Sequence, residues 1–350
     1  MDFLLERMTR QGLARQGTGQ PAEVAASAFG LQAQDAAAAR LGVRARSSGV
    51  DEAGVVQACE VQRSVVRTWL MRATVHLVAA EDLRWMAALF GPMIERRFAN
   101  VRWRELGIDE GVIEAATPLA HEVLTGRQLT RREFAAELAD RGIRLAEDPS
   151  APTHLLMALS CRGVTCRAGD QGRDSTFALL DEWVPSGPAP ADPMAELARR
   201  YFRAFGPATA ADFTAWSGLP SGAAISAIRD ELTEVGLHGR RGWTLGTVEP
   251  APGVRLLPMF DNYLIGYRDR TGMLDPAVHG RIYVGGVVKA TVLCDGRVLG
   301  IWRLQRSGRS VTVRVAPFER FTRRHLDELE RERADLERFF GRPVGLTVDG

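Results

Sequence analysis

Gln32 and Gln34 are the residues in this chain whose type and spacing are best suited to chemistry. One alanine separates them in the stretch Gly30-Leu31-Gln32-Ala33-Gln34-Asp35. On a helix, side chains two residues apart diverge by about 200° and cannot act together. On extended backbone the same spacing puts both on one face. Each amide has an acceptor and a donor, so two of them side by side hold one water or one base edge. The neighbours favour the extended reading: Gly30 suits the end of one helix, and Asp35 suits the N-cap of the next. By itself the stretch also fits two glutamines that only cap and solvate a helix junction, and the remaining sequence has to decide.

The elements that would hold this stretch follow from patterning. Pro21 suits a helix start, with Val24, Ala25, Ala28 and Phe29 as its apolar face. A second helix is predicted from Ala36 and a third over 55–64. Residues 65–78 are rich in β-branched and aromatic side chains and predict two short strands joined near 71–73. Three helices followed by a hairpin is the outline of a winged helix. A long helix over 79–101 ends among Arg96, Arg97, Arg102 and Arg104, which suit a phosphate-facing patch or a solvated helix end.

A second copy of the outline runs through 117–180. It has a capping box at Thr130 and Glu133, a helix over 154–160 and a polar loop, 169–174, predicted as the wing. After a proline-rich linker at 185–193, a third copy has helices over 196–205, 209–218 and 221–235 and a turn at 238–242. Beyond residue 250 the sequence is strand-rich, with a hairpin signal at Asp295-Gly296, and closes on a charged helix over 319–340. The expected domains are therefore 1–110, 111–190 and 191–250, each a winged helix, and a β-rich domain over 251–350.

Composition narrows the function. A chain of 350 residues with 45% hydrophobic and 25% charged residues is expected to form two or three soluble domains. No stretch approaches a membrane span and the N-terminus lacks an apolar signal block, so the expected location is cytoplasmic, nucleoid-associated if the partner is DNA. Cys59, Cys161, Cys166 and Cys294 form no metal-ligand spacing, so no zinc site, iron–sulfur site or cofactor is expected. Net charge is only +2, yet Lys289 is the only lysine. Arginine suits bidentate contacts to phosphate and guanine, although GC-rich coding produces the same bias.

Five segments in order, 30–35, 67–77, 206–219, 257–270 and 295–303, together resemble the winged-helix DNA glycosylases of the AlkZ/YcaQ type. The resemblance implies an α+β fold of three tandem winged-helix units in a C shape around a DNA channel, with a C-terminal β-rich, barrel-like part. It also implies catalysis at a Gln-apolar-Gln signature, which Gln32-Ala33-Gln34 fits, in the branch that unhooks interstrand crosslinks; the other branch has Gln-apolar-Asp. One departure is Ala73, where the family usually has glycine.

Neutral amides suit this chemistry because an N7-alkylated purine is cationic and already a good leaving group. What remains is to place a water at C1′ and stabilise an oxocarbenium-like sugar. Asp35 is an alternative general base, set against its role as helix cap. Glycosylases that also cut the backbone use an amine. Lys289 lies far along the sequence, so a glycosylase without lyase activity is expected. Arg67, Arg72, His76, Tyr263, Arg268 and Arg270 are the candidate DNA contacts; the alternatives are a core histidine, surface arginines and a buried tyrosine.

The expected partner is double-stranded DNA bearing alkylated purines or crosslinks, bound by a monomer without membrane contact. A bulky crosslinked base stays tethered to the other strand, which favours an open channel over deep base flipping. The competing readings are a dimeric winged-helix regulator without catalysis and a protein that sequesters a genotoxin.

Overall fold

The chain folds as two units, Met1–Val55 with Ala195–Gly350, and Val56–Met194. The computed structural model describes residues 3–14, 19–172, 174–307 and 310–349, apart from the side chains of Arg306 and Ser307. Arg173 in the predicted wing lies outside the described residues.

In the first unit the helices Pro21–Ser27 and Ala36–Arg46 flank a two-residue strand, β1 (Leu31–Gln32).

The second unit is built on β2 (Val65–Trp69), β3 (Val75–Ala79), β4 (Leu129–Thr130), β5 (Thr165–Gln171) and β6 (Asp174–Leu179). Their order is β3-β2-β5-β6-β4, every pair antiparallel. The two predicted wings are thus joined edge to edge, with Arg67 of β2 opposite Arg167 of β5. The predicted polar loop 169–174 is largely strand: Asp170 pairs with Ser175 and Gln171 with Asp174. A bulge between Arg167 and Asp170 breaks the period-two pattern there, which hid the strand. Two of this unit's helices, Ala80–Phe98 and Ala151–Cys161, cross closely at Gly91. A Cβ there would lie 2.4 Å from the Cys161 carbonyl oxygen, so only glycine permits the approach.

In the first unit, the third predicted copy contains the helices Pro193–Phe205, Ala210–Ser217 and Gly222–Ala227 and the hairpin β7 (Thr233–Leu237) and β8 (Arg240–Thr244). The third helix stops well short of the predicted residue 235, because Thr233 and Val235 are strand formers already paired with β8. Tyr201 is the hub of its core: the rings of Phe202, Phe205, Phe213 and Trp216 all lie within 5.3 Å of it.

The strand-rich segment begins with β9 (Val254–Leu257) and a small hairpin, β10 (Tyr283–Val284) and β11 (Val287–Val288). It continues through β12 (Thr291–Cys294), β13 (Arg297–Ser307) and β14 (Ser310–Pro317). A last strand, β15 (Val344–Val348), pairs parallel with β14 and completes a half-barrel ordered β15-β14-β13-β12-β9. The sequence reading ended on the helix and missed β15. That helix is Arg323–Phe340, later in its start than predicted because Thr322 is its N-cap, and Gly341 at φ +63° ends it. Arg44, fully buried, donates to Glu332 at 2.6 Å and Asp335 at 2.5 Å, which ties the Ala36–Arg46 helix to this terminal helix. Among the described residues, no helix is long and apolar enough to cross a membrane.

The turn between β2 and β3 places Arg72 at φ +55° and Ala73 at φ +62°, a region that strains any side chain with a Cβ. Replacing Ala73 with glycine relieves ~1–2 kcal/mol of strain, offset by ~0.5 kcal/mol of added unfolded-chain entropy. The Ala73→Gly variant is expected to be about 1 kcal/mol more stable, read as a raised urea midpoint at unchanged slope.

Candidate functional site

The glutamine stretch begins where the Pro21–Ser27 helix is forced to stop. The Gly30 amide donates to Ala25 O at 2.8 Å and the Phe29 amide to Ala26 O at 3.2 Å, with Phe29 at φ +51° and Gly30 at φ +83°. This is a Schellman ending in which a phenylalanine takes the left-handed position. Burial holds it there: the Phe29 ring lies 5.7 Å from Trp216 and 5.4 Å from the Arg200 guanidinium.

From Gly30 the backbone is extended and burial alternates. Leu31 and Ala33 point inward, at 2% and 1% exposure, while Gln32 is half-buried and Gln34 exposed. Both glutamines therefore lie on the outward face, as their spacing requires. Asp35 then caps the next helix, its Oδ1 accepting from the Ala38 amide at 2.7 Å.

What fixes the stretch is a pair of buried polar residues, Asp261 and Asn262, to which the sequence reading gave no role. Asn262 Oδ1 accepts from the Gln32 amide at 3.3 Å, and its Nδ2 donates to Ala28 O at 3.3 Å and Gly30 O at 2.5 Å. Asp261 accepts from both terminal guanidinium nitrogens of Arg46 at 2.8 Å and from the Tyr263 amide at 2.9 Å. Both ends of the Ala36–Arg46 helix are thus fixed, the first by Asp35 and the last through Arg46. The signal in the sequence was two polar residues inside an apolar run, Met259-Phe260-Asp261-Asn262-Tyr263-Leu264: polar groups buried among such neighbours are there to be hydrogen-bonded.

The same segment holds the β10–β11 hairpin. The Phe260 amide donates to Val288 O at 3.1 Å, and the Tyr283 hydroxyl donates to Leu264 O at 3.0 Å. Beyond this stem, Val284 and Val287 stand 45% and 39% exposed around Gly285-Gly286. The strand-rich pattern beyond residue 250 did not separate this hairpin from the half-barrel strands.

Asp35 also lines a cleft of about 610 Å³ between the Ala36–Arg46 helix and the half-barrel. Lys289 lines it too, so the lone lysine, remote in sequence, shares a cleft with Asp35. Sequence separation was therefore no ground for setting it aside.

The six predicted contact residues are dispersed. In the first unit Tyr263 is fully buried and its hydroxyl donates to Gly296 O at 2.9 Å, which matches the buried-tyrosine alternative. Arg270 donates to Leu264 O at 2.8 Å and lies 4.7 Å over Tyr283, whereas Arg268 is exposed.

In the second unit Arg67 is buried against Asp170 at 2.5 Å, and Arg72 is half-buried with its carbonyl accepting from Arg97 at 3.0 Å. His76 is a core histidine: burial, with Arg72 nearby, pushes its pKa down to about 3. Arg102, from the predicted arginine patch, is ion-paired to Asp148 at 2.9 Å and Glu105 at 3.3 Å. Arg167, which the sequence reading passed over, stacks 4.7 Å over Trp69, and burial and Arg67 lower its pKa to about 10.

A family model described as DNA glycosylase AlkZ-like matches residues 25–339. An interstrand DNA cross-link repair glycosylase of Streptomyces sahachiroi is 28% identical over 96% of this chain and 95% of its own length. The solved structure of Streptomyces sahachiroi DNA glycosylase AlkZ matches with a TM-score of 0.80 at 25% identity, covering 99% of this chain and 98% of that one.

Two outcomes follow from the geometry. Asn262→Ala removes one hydrogen-bond partner from the Gln32 amide and from each of two carbonyls, at roughly 1–3 kcal/mol per buried group left unsatisfied. It is expected to lower stability and to speed hydrogen exchange at the Gln32 amide above that of the half-barrel strands. His76 is neutral in the fold, while its unfolded form takes up a proton below the ordinary pKa of 6.5. Its contribution to stability is therefore complete above pH 6.5 and is lost as pH falls toward 3. Between pH 7 and pH 5 the loss is expected to be about 2 kcal/mol, and a His76→Gln variant should show a flatter profile in urea unfolding.

Proposed function

This chain belongs to the AlkZ-like DNA glycosylase family, and we propose that it is a monofunctional glycosylase acting on cationic N7-alkylated purines, including those tethered in interstrand crosslinks. The observation that supports this reading is the clamped, extended loop that turns Gln32 and Gln34 to the same side. The crosslink part of the reading follows the Streptomyces sahachiroi relative, whose printed name is that of an interstrand DNA cross-link repair glycosylase.

In the proposed step, the carbonyl oxygens of Gln32 and Gln34 accept the hydrogens of one water and hold its lone pair toward C1′. The C1′–N9 bond breaks, its electron pair neutralises the cationic purine, and the water oxygen bonds to C1′ of the oxocarbenium-like sugar. A proton leaves to solvent, giving an abasic sugar and a neutral N7-alkylpurine. The amide dipoles stabilise the positive sugar without titrating, so no general acid is needed. Asp35 keeps its capping role, since its Oδ1 already accepts from Ala38. Hydrolysis by water also makes the amine of Lys289 unnecessary, which is the basis for proposing no lyase step.

DNA is held by two arginines, one exposed and one half-buried, and an apolar tip. We assign Arg268 and Arg72 to the backbone phosphates, and Val284 and Val287 to the groove, where exposed apolar side chains on a rigid hairpin wedge base steps apart. The protein is proposed to act as a monomer on duplex DNA.

Release of 7-methylguanine from N7-methylated duplex is expected from wild type. Gln34→Ala and Gln32→Ala should each lower its single-turnover rate by about 10²-fold, the scale of losing one transition-state donor or acceptor, with DNA affinity kept. Absence of release by wild type from both monoadducted and crosslinked DNA would favour the regulator instead. Borohydride added during turnover is expected to trap no covalent DNA–protein adduct; a trapped species that disappears in Lys289→Ala would overturn the monofunctional reading.

A further inference from the structure

We propose that Arg67, Arg167 and Arg131 form a phosphate-binding site in the sheet that joins the two wings, and that the carboxylate of Asp170 occupies it until a phosphate displaces it. For a phosphate of the duplex backbone, this inference rests on the reading under which the chain acts on DNA, and it adds an internal competitor to that contact.

The site begins with a row across the sheet. Arg67 on β2 is the register partner of Arg167 on β5, which is in turn the partner of Phe177 on β6, so all three side chains leave the same face. Like charges directly opposite on neighbouring strands repel, and the backbone ladder does not require them. Arg131 opens the helix Arg131–Asp140 and is a third charge close to Arg167. Among the described residues, Asp170 is the only carboxylate ion-paired to any of the three.

Arg167 is the member left without a counter-ion. Its guanidinium lies 4.7 Å over Trp69 and 5.7 Å over Phe177, and its Nε is buried with no hydrogen-bond partner. Burial, then Arg67 and Arg131, lower its pKa only to about 10, so it keeps its charge at neutral pH. A fixed, stacked guanidinium with an orphan donor is half of an anion site, already arranged.

Asp170 is a displaceable occupant. Its Oδ1 accepts from Arg67 at 2.5 Å and from the Ser175 hydroxyl at 3.0 Å. Its side chain is 28% exposed against 9% for Arg67, so the carboxylate is the outer member of the pair and covers the arginine. The bulge on which it sits is fixed by other groups. The Asp170 amide donates to Glu60 Oε1 at 3.3 Å, and the Gly169 amide to Gln128 Oε1 at 3.4 Å. Rotation of one side chain therefore opens the site while the strand stays in place. A phosphate offers more acceptor oxygens than a carboxylate and takes several arginine contacts at once, so it bridges Arg67 and Arg167, which Asp170 does not.

The test measures binding of an unmodified duplex over a salt series by wild type, Asp170→Asn, Arg167→Gln and the double variant. Asparagine keeps the size of the side chain and an acceptor for Ser175, and urea midpoints check that each variant is folded. Asp170→Asn is expected to bind at least about threefold more tightly, with log K falling more steeply against log salt by about 0.9, the mark of one further phosphate neutralised. Both gains should vanish when Arg167→Gln is added.

Affinity and slope in Asp170→Asn equal to wild type, as for a carboxylate that only stabilises the fold, would overturn the proposal. So would a gain that survives in the double variant. Absence of duplex binding by every one of these proteins is instead the failure of the DNA reading. Inorganic phosphate then decides: a urea midpoint of Asp170→Asn raised by phosphate over chloride at matched ionic strength, and unmoved in the double variant, upholds the site with the free anion as its ligand. An unmoved midpoint in both ends it.

Discussion

The buried contact of Asp261 and Asn262 with the N-terminal part of the chain is the constraint on which the first unit depends. Asn262 binds three backbone groups, two in the glutamine stretch and one at Ala28 before it, and Asp261 binds both terminal guanidinium nitrogens of Arg46 at the far end of the next helix. Both residues are buried. They specify one position for the loop, because any other leaves a buried ion or amide without partners, a penalty of several kcal/mol. In the role proposed for them the glutamines need no charge of their own but do need this immobility, since a dipole stabilises a developing charge only when it is already aimed at it.

The polar clamp is set in an apolar frame. Phe29 adopts a left-handed backbone because its ring is buried against Trp216, which belongs to the Tyr201 cluster. Arg44 joins the Ala36–Arg46 helix to the terminal helix, and Trp302 hydrogen-bonds the end of β9. Strain, ion pairing and aromatic packing thus act on one short stretch from several sides. Over-determination of this sort is how native proteins hold irregular backbone at a working site.

Local patterns were legible where the chemistry is local. Asp35 as an N-cap, Gly30 as a helix end, the Thr130–Glu133 capping box and the β2–β3 hairpin all depend on residues within a few positions of each other. The outward orientation of both glutamines was legible for the same reason. What could not be read depends on distant partners: the joining of β2 to β5, the parallel strand β15, and the clamp itself. Lys289 shows the limit most plainly, because its distance along the chain gave no hint that it shares a cleft with Asp35. The buried positions of His76 and Tyr263 belong in the same category, since motif membership does not separate a residue that touches substrate from one that supports the fold.

The division of the chain into Met1–Val55 with Ala195–Gly350 and Val56–Met194 has a consequence for biosynthesis. Val56–Met194 is inserted within the other unit, and Gln32 meets its partner Asn262 only 230 residues later. During translation the N-terminal segment therefore waits, with Phe29 and Leu31 uncovered, until most of the polypeptide has left the ribosome. The inserted unit has all its own strands by then and can fold first. A chain that stalls before residue 262 contains Gln32 and Gln34 but lacks Asn262 and its three hydrogen bonds to the backbone around them.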